Sequence, residues 1–301
     1  MVLQLRSLLQ SNGELQLSLA EQPPAQPQAD EVVVRVQATP INPSDLGLLL
    51  ALADPASFAA AGTPERPVAK ARVPEAVMPG LKTRWDESMP VGNEGAGTVI
   101  RAGEDATHLL GRTVSMFGGA MWAQHRLIKA AACMPLPDGT TARDGASWFV
   151  NPLTALGMIE TMRLEGHTAL VHTAAASNLG QMLNRISLED GVGLVNIVRS
   201  PAQAALLRAQ GASHVCDSTA PDFAAALTDA LHATGATIAF DAIGGGPLAD
   251  TILACMEAAL KRSATGYSHY GTERHKQVYL YGRLNTAPTV FDRGQYGSAW
   301  G

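Results

Sequence analysis

Residues 168–180 read Thr-Ala-Leu-Val-His-Thr-Ala-Ala-Ala-Ser-Asn-Leu-Gly, a junction between a predicted strand and a predicted helix. Its first half is an apolar, strand-like run, and helical periodicity begins at Leu179. Such a strand-to-helix junction directs backbone N–H groups and a helix N-terminus towards whatever lies beyond it, which favours an anion. On the dinucleotide fingerprint G-x-G-x-x-G, the glycine positions fall at Ala175, Ser177 and Gly180. Only Gly180 matches, where a missing side chain permits close helix-to-strand packing, so the motif alone fits an ordinary α/β turn equally well.

Strands alternate with amphipathic helices after about Trp148. This order is typical of a parallel sheet built from βαβ units. The pattern predicts strands at residues 168–173, 194–198, 214–216, 237–241 and 277–281. It predicts helices at residues 179–188, 201–210, 222–233 and 248–261.

Short strands separated by turn residues dominate the first half of the chain. Runs at 32–36 and 113–117, and a segment around Val99, are bounded by turn residues, as strands are. The stretch 48–89 is rich in alanine and carries prolines at 55, 64, 67, 74 and 79, which forbid a long helix or a central strand. We therefore predict an elaborated surface loop with short helical pieces there, a candidate lid.

Length and composition narrow the class of protein. With 301 residues, the chain exceeds the usual size of one domain, so we expect two. The net charge of -5 gives no reason to expect nucleic-acid binding, and no apolar run approaches the length of a membrane span. The N-terminus lacks the features of a secretory signal, so we expect a cytoplasmic protein. The three cysteines are far apart and offer neither a disulfide framework nor a zinc knot.

The end of the second predicted strand bears on the choice of cofactor. NAD-specific proteins place an acidic residue there to bind the ribose 2′-hydroxyl, but this chain reads Asn196-Ile197-Val198-Arg199-Ser200. A carboxylate would repel a 2′-phosphate, whereas Arg199 can pair with it through charge-assisted hydrogen bonds. The sequence therefore favours NADPH, and the alternative is that Arg199 is a solvated surface charge.

Four segments together resemble the medium-chain dehydrogenase/reductases, especially the quinone reductases and the mitochondrial-type 2-enoyl thioester reductases. The segments are Ile41-Asn42-Pro43-Ser44-Asp45, Gly92-Asn93-Glu94-Gly95-Ala96-Gly97, Val150-Asn151-Pro152-Leu153-Thr154-Ala155 and the stretch 174–215. Each segment is short, but their order and spacing span most of the chain and make the match specific.

The resemblance implies an α/β fold with a GroES-like β-barrel catalytic domain at 1–150, a Rossmann domain at 151–285 and a catalytic cleft between them. Residues 286–301 would then begin the return to the catalytic domain, apparently in a truncated form. The cofactor contacts that it implies are Thr154, Ala174, Ala175, Ala176, Ser177, Asn178, Leu179, Asn196, Arg199, Ser200, Ala242, Ile243, Tyr281, Gly282 and Leu284. We interpret residues 244–246, all glycine, as a flexible turn rather than a phosphate loop.

Two departures from the family pattern concern catalysis. Zinc-dependent relatives carry His where this chain has Asn93, and a neutral amide is a poor zinc ligand, so we expect no catalytic zinc. The enoyl reductases carry a tyrosine soon after their N-P-S-D segment, whereas all tyrosines here lie at 267 or beyond. This argues against enoyl thioester reduction and against a tyrosine proton donor.

We therefore predict an NADPH-dependent oxidoreductase that reduces a small-molecule acceptor, either a quinone or a conjugated carbonyl. Asn42 and Asn93 are candidate hydrogen-bond donors to the developing oxyanion, with turn capping as the alternative for both. Asp45 is interpreted as a helix-start residue, and His125 and His172 as structural. The competing hypothesis is a non-catalytic NADPH-binding protein that regulates assembly or partner binding. Dimerisation is an expectation from the family alone.

Overall fold

The computed structural model describes all residues from Met1 to Gly301. It divides into two compact units, Met1–Val150 and Asn151–Gly301. No helix in the chain combines the length and apolar character needed to span a membrane.

The first unit consists mainly of two antiparallel sheets. Its strands are β1 (Val2–Leu9), β2 (Glu14–Gln22), β3 (Glu31–Ala38), β4 (Ala59–Gly62), β5 (Pro67–Arg72), β6 (Ser88–Pro90), β7 (Glu94–Ala102), β8 (Thr113–Phe117), β9 (His125–Lys129) and β10 (Cys133–Pro135). Two helices, α1 (Pro43–Leu50) and α2 (Ala142–Gly145), and four short 3-10 helices connect them. The five-stranded sheets have the orders β4-β5-β2-β1-β6 and β10-β8-β7-β3-β9.

The stretch 48–89 is not the predicted loop. It forms the β4–β5 hairpin, which extends the first sheet, together with β6 and two 3-10 helices at Pro55–Ser57 and Met78–Arg84. Its prolines are compatible with this structure because they lie at element boundaries. Pro67, for example, is the first residue of β5, and Pro64 lies in the hairpin turn. The prediction that this stretch contains no central strand was wrong, because β5 has a neighbouring strand on each side, β4 and β2.

The second unit is a parallel sheet with helices on both faces. Its strands are β11 (Ala169–His172), β12 (Gly193–Val198), β13 (His214–Asp217), β14 (Ile238–Asp241) and β16 (Gln277–Leu280), in the order β13-β12-β11-β14-β16. Its helices are α3 (Val150–Leu164), α4 (Asn178–Glu189), α5 (Pro201–Ala209), α6 (Phe223–Thr234) and α7 (Leu248–Lys261). All predicted strands and helices of this half are present, with boundaries shifted by a residue or two at most.

Neighbouring residues of the buried strands pack against opposite helical layers. Leu170 faces a core with residues of α3 and α4, whereas Val171 faces a core with residues of α6 and α7. This alternation follows from the two-residue repeat of a strand, and apolar residues on both faces require helices on both sides.

The last segment of the chain lies in the second unit. β17 (Asn285–Thr289) pairs in parallel with β15 (Gly244–Gly246), so the three glycines form a short strand rather than the predicted flexible turn. Tyr296 is fully buried in the core that also contains residues of α6 and α7. Residues 286–301, expected to begin a return to the catalytic domain, therefore pack in the second unit.

Candidate active site

Most of the predicted cofactor residues meet at one edge of the parallel sheet. The chain leaves β11 towards β12 and β13 and then returns to β14 on the other side, which creates a switch point between β11 and β14. Ligands of open α/β sheets bind outside the carboxyl ends of the strands at such a point. The predicted cofactor residues lie at the carboxyl ends of four strands. These are residues 174 to 179 after β11, 196 to 200 at the end of β12, 242 to 243 after β14 and 281 to 284 after β16.

The turn from β11 to α4 depends on the backbone conformation of Ala174 and on the absence of a side chain at Gly180. Ala174 adopts a left-handed conformation with φ of 49°, and the Ala175 N–H donates to Ile197 O at 3.1 Å. A Cβ on Gly180 would lie 2.2 Å from Ala175 O, so a side chain there would collide with the backbone. This is the close approach predicted from the sequence.

α4 begins where its N-terminal N–H groups can reach a ligand. Ser177 is the N-cap, and its hydroxyl accepts a hydrogen bond from the Gly180 N–H at 3.1 Å. Ser177 and Asn178 are exposed, while Ala176 and Leu179 are half-buried. The first N–H groups of a helix lack intrahelical acceptors and carry its positive end, which gives the turn its anion-binding character.

The end of β12 presents one free cation. The Arg199 side chain is exposed, and its guanidinium forms no hydrogen bond or ion pair within the protein. Ser200 caps α5 by accepting from the Gln203 N–H at 3.4 Å. Asn196 is fully buried, and its Nδ2 donates to Asn184 Oδ1 on α4 at 3.4 Å. The structure thus places Arg199 at the surface and Asn196 in the interior.

Asp241 organises the turn after β14, and the sequence analysis did not identify it. This carboxylate is 1% exposed and accepts hydrogen bonds from Thr173 Oγ1 at 2.6 Å and from the N–H groups of Ile243 and Gly244 at 2.9 and 3.1 Å. Ala242 N–H in turn donates to Thr173 Oγ1 at 2.8 Å. The signal in the sequence was an acidic residue at the end of an otherwise apolar strand.

The segment after β16 closes over the same turn. A Cβ on Gly282 would lie 2.4 Å from Ala242 O, so this approach requires glycine. The Leu284 N–H donates to Ala242 O at 3.1 Å, and the Leu284 side chain is exposed. Tyr281 is partly exposed, and its hydroxyl lies 2.8 Å from His172 Nε2. Burial, with a smaller contribution from Asp241, raises the pKa of the Tyr281 phenol well above its ordinary value.

His172, interpreted from the sequence as structural, is the last residue of β11. It is completely buried, and burial lowers the pKa of its imidazole to about 4. Its ring stacks against that of Tyr281 with the centroids 6.0 Å apart. The ring is therefore neutral at physiological pH, and it touches the residue that borders the carboxyl edge of the sheet.

Thr154, the remaining predicted cofactor residue, lies in the second turn of α3 and is half-buried. It belongs to the Asn151–Gly301 unit, as do all the other predicted cofactor residues.

In the first unit, a buried carboxylate joins the two predicted oxyanion donors. Asp45 is 1% exposed and accepts from the Asn42 N–H and the Asn93 N–H, each at 2.8 Å. It thereby holds the start of α1 against the residue that precedes β7. The interpretation of Asp45 as a helix-start residue accounts for its hydrogen bond from Asn42, but not for the one from Asn93.

The side-chain amides of both asparagines also have partners in this unit. Asn93 Nδ2 donates to Ser44 Oγ at 2.9 Å, and Asn42 Nδ2 donates to Glu94 Oε1 at 3.0 Å. Glu94 is fully buried, and its Oε2 accepts from the N–H groups of Phe149 and Val150 at 2.9 and 3.0 Å. Sequence reasoning missed Glu94, although a charged residue at the start of a glycine-rich buried strand was a signal.

Among the residues of the chain, no group of three or more His, Cys, Asp or Glu side chains is placed to hold a metal ion. At residue 93 the side chain is an amide whose nitrogen is engaged with Ser44.

The chain is similar both to curated protein sequences and to solved structures. No family model matches the chain. The chain is 28% identical over 233 residues to a phenolphthiocerol/phthiocerol polyketide synthase polypeptide of Mycobacterium tuberculosis, covering 76% of this chain and 9% of that protein. It is 27% identical over 199 residues to the mitochondrial enoyl-[acyl-carrier-protein] reductase of Xenopus tropicalis, covering 63% of this chain and 48% of that protein. The chain thus spans less than half the length of these curated relatives.

Solved structures give a longer match. A Mesorhizobium loti protein described as an NADPH:quinone reductase has a TM-score of 0.67 and 28% identity, with 96% of this chain and 76% of that chain covered. An enoyl thioester reductase from Candida tropicalis, in a mutant form, has a TM-score of 0.64 and 19% identity, with 98% and 79% covered.

These matches define the class of fold, which is that of the reductases with an antiparallel catalytic domain and a Rossmann domain. The predicted fold class is therefore confirmed. The predicted resemblance to the medium-chain dehydrogenase/reductase superfamily, and within it to the quinone reductases and enoyl thioester reductases, is confirmed as well.

Proposed function

We propose that this chain is an oxidoreductase that binds NADPH at the carboxyl edge of its parallel sheet and reduces a quinone or a conjugated carbonyl without catalytic zinc. The observation that carries the proposal is the convergence at this edge of the α4 N-terminus and the unpaired guanidinium of Arg199. A dinucleotide with a 2′-phosphate offers anionic groups to both. The Mesorhizobium loti neighbour, described as an NADPH:quinone reductase, supports the same cofactor.

The residues at this edge fit a dinucleotide. A side chain at residue 180 or 282 would collide with backbone: Gly180 lets α4 approach the turn after β11, and Gly282 lets the segment after β16 approach Ala242 after β14. The pyrophosphate would lie at the N–H groups of Asn178 and Leu179, since the Ser177 N–H donates to Ala174 O at 2.9 Å, and the 2′-phosphate at Arg199 and Ser200. Ala242, Ile243 and the segment from Tyr281 to Leu284 would hold the nicotinamide end, with Thr154 from α3.

When bound, NADPH supplies the hydride for the reduction. The protein contributes orientation and exclusion of water, which favour transfer to an electron-poor acceptor. In the first unit, Asn93 is half-buried and one Nδ2 hydrogen is engaged by Ser44, so the second is a candidate donor to a developing oxyanion. Zinc independence is supported by the same residue, because an amide nitrogen that donates to Ser44 is not a ligand for zinc.

The proposal is tested by adding NADPH to the purified protein together with a panel of quinones, enals and a 2-enoyl thioester. The thioester is included because the Xenopus tropicalis relative is named an enoyl reductase. We expect loss of the absorbance of reduced nicotinamide with at least one acceptor, and the same rate after treatment with a zinc chelator. Tight binding of NADPH without oxidation by any acceptor would instead support the non-catalytic alternative.

A further inference from the structure

Tyr281 and His172 form a pair at the carboxyl edge, and the hydrogen bond between them has no part in the predicted cofactor contacts. The Tyr281 hydroxyl lies 2.8 Å from His172 Nε2, and it has no other hydrogen-bond partner in the protein. Tyr281 is 41% exposed, whereas His172 is completely buried. The pair thus joins a partly exposed tyrosine to a histidine that is shielded from solvent.

The surroundings of the imidazole decide which group donates. His172 Nδ1 is buried and has no hydrogen-bond partner. A proton on Nδ1 would be an orphaned buried donor, which proteins avoid more strictly than an unpaired acceptor. A proton on Nε2 has the Tyr281 oxygen as its acceptor. The neutral Nε2–H tautomer therefore fits this site, and it leaves the Tyr281 O–H free to donate away from His172.

We propose that Tyr281 is the proton donor in the reduction of the acceptor and that His172 is the positioning residue that holds its hydroxyl at the carboxyl edge. This inference rests on the proposed function, because it assigns a group to the second half of that reaction. It also replaces the expectation from the sequence that no tyrosine would donate a proton. That expectation came from the chain order of the tyrosines, whereas folding brings Tyr281 to the end of β11.

The step balances in atoms and charge. With NADPH bound, a conjugated carbonyl would gain two electrons and one hydrogen as hydride and would become an enolate anion. The O–H bond of Tyr281 breaks, its proton bonds to this anion, and the electron pair stays on the phenolate oxygen. Nε2–H of His172 donates a hydrogen bond to the phenolate oxygen, which then takes a proton from water to restore the phenol.

The electrostatics of the pair agree with these roles. Burial and Asp241 raise the pKa of Tyr281, so the phenol keeps its proton at physiological pH and releases it only to a strong base such as an enolate. Burial lowers the pKa of His172 to about 4, so the imidazole stays neutral and keeps the single N–H that the geometry requires.

The test compares Tyr281→Phe with Tyr279→Phe, a control from β16 whose phenol hydroxyl donates to Glu165. We expect Tyr281→Phe to lower kcat by roughly 100-fold or more, as loss of a positioned general acid does, with KM for NADPH little changed. The solvent deuterium isotope effect on kcat should rise, because unpositioned water must then deliver the proton. Tyr279→Phe should behave like the wild-type protein in both measurements.

His172 is tested by two substitutions. His172→Leu removes the donor to Tyr281 and should lower kcat, whereas His172→Gln carries an amide N–H at a similar reach and should restore most of the rate. Thermal melting and NADPH affinity of both variants separate positioning from folding, because a purely structural role would change these two quantities without changing the isotope effect.

A readout without cofactor or acceptor is the 15N NMR spectrum of the ligand-free protein. We expect the His172 resonances to report an Nε2–H tautomer that shifts in Tyr281→Phe. An Nδ1–H tautomer, or a Tyr281→Phe variant with the kinetics of Tyr279→Phe, would overturn this inference and leave the proposed function standing. A wild-type protein that oxidises no NADPH with any acceptor would overturn both.

Discussion

Arg199 is the residue on which cofactor choice depends. Replacing it with Glu would put a carboxylate where we place the 2′-phosphate, so we expect NADPH binding to weaken by about 1.5–3 kcal/mol, typical of a charged hydrogen bond. NADH lacks this phosphate, and its affinity should change far less. Arg208→Glu is the matched control, because it makes the same charge change at the other end of α5, where Arg208 Nη2 donates to Val215 O. Equal losses for both cofactors in fluorescence titrations would contradict the placement.

His172 makes stability depend on pH in a defined window. The folded protein holds its pKa at about 4, below the value of about 6.5 for an unperturbed histidine, so the unfolded chain binds the proton first as pH falls. Its contribution is complete above pH 6.5 and is lost progressively down to the folded pKa. We expect a loss of about 2 kcal/mol between pH 7 and pH 5 from this group. Urea unfolding of wild-type and His172→Gln proteins should show that loss in the wild type alone, and parallel curves would refute it.

At the scale of elements, the approach of α4 to β11 depends on residue 180. An added Cβ would meet Ala175 O at 2.2 Å, so Gly180→Ala forces α4 and the turn apart. We expect the free energy of unfolding to fall by about 1–3 kcal/mol, as for overpacked cores. We also expect the folded variant to bind NADPH more weakly than the wild-type protein does. Gly157→Ala on α3 is the control, since a Cβ there meets nothing within 4 Å. Unchanged NADPH affinity in Gly180→Ala would separate this turn from the cofactor.

Local periodicity predicted elements well where burial enforces it. The bounds of β8 (Thr113–Phe117) and α7 (Leu248–Lys261) agree with the sequence, because each has an apolar pattern flanked by turn residues. The β4–β5 hairpin was missed for the opposite reason. β4 is exposed along its whole length, so it has no apolar alternation, and the prolines that end elements were interpreted as excluding them.

The buried carboxylates of the candidate site show why the rest was not predictable. Asp45, Asp241 and Glu94 are all satisfied mainly by backbone N–H groups, some of them from residues distant in the chain, such as Asn93 for Asp45 and Phe149 for Glu94. Backbone donors leave no signature in side-chain identity. The Tyr281–His172 contact is likewise created by the order of strands, because its members are 109 positions apart in the chain. The residues that follow strand ends could be predicted from the sequence. Their hydrogen-bond partners could not, because these depend on the order of the strands in the sheet.

Across the whole molecule, one ion pair has both of its members buried. Most of the others join side chains that are at least partly exposed, and such pairs contribute little, typically about 0–1 kcal/mol. Lys276 and Glu257 are 0% and 1% exposed, with Nζ and Oε2 at 2.8 Å. Burial opposes ionisation of Glu257, but hydrogen bonds from Lys276 and Thr272 outweigh it and lower its pKa to about 2. The ion pair whose disruption should be most costly therefore lies in the second unit, between α7 and the start of β16.

Removing one member of this pair should therefore destabilise the protein more than removing one member of an exposed ion pair. Lys276→Met leaves Glu257 buried without its cation, which costs about 3–5 kcal/mol when a buried pair is broken. Lys261→Met removes the exposed lysine that reaches the same carboxylate at 3.4 Å and should cost about 1 kcal/mol or less. The double variant Lys276→Met with Glu257→Leu should recover most of the loss, because an apolar pair needs no desolvation of charge. Urea unfolding of the four proteins measures these differences, and similar losses for Lys276→Met and Lys261→Met would show that burial does not set the strength of this pair.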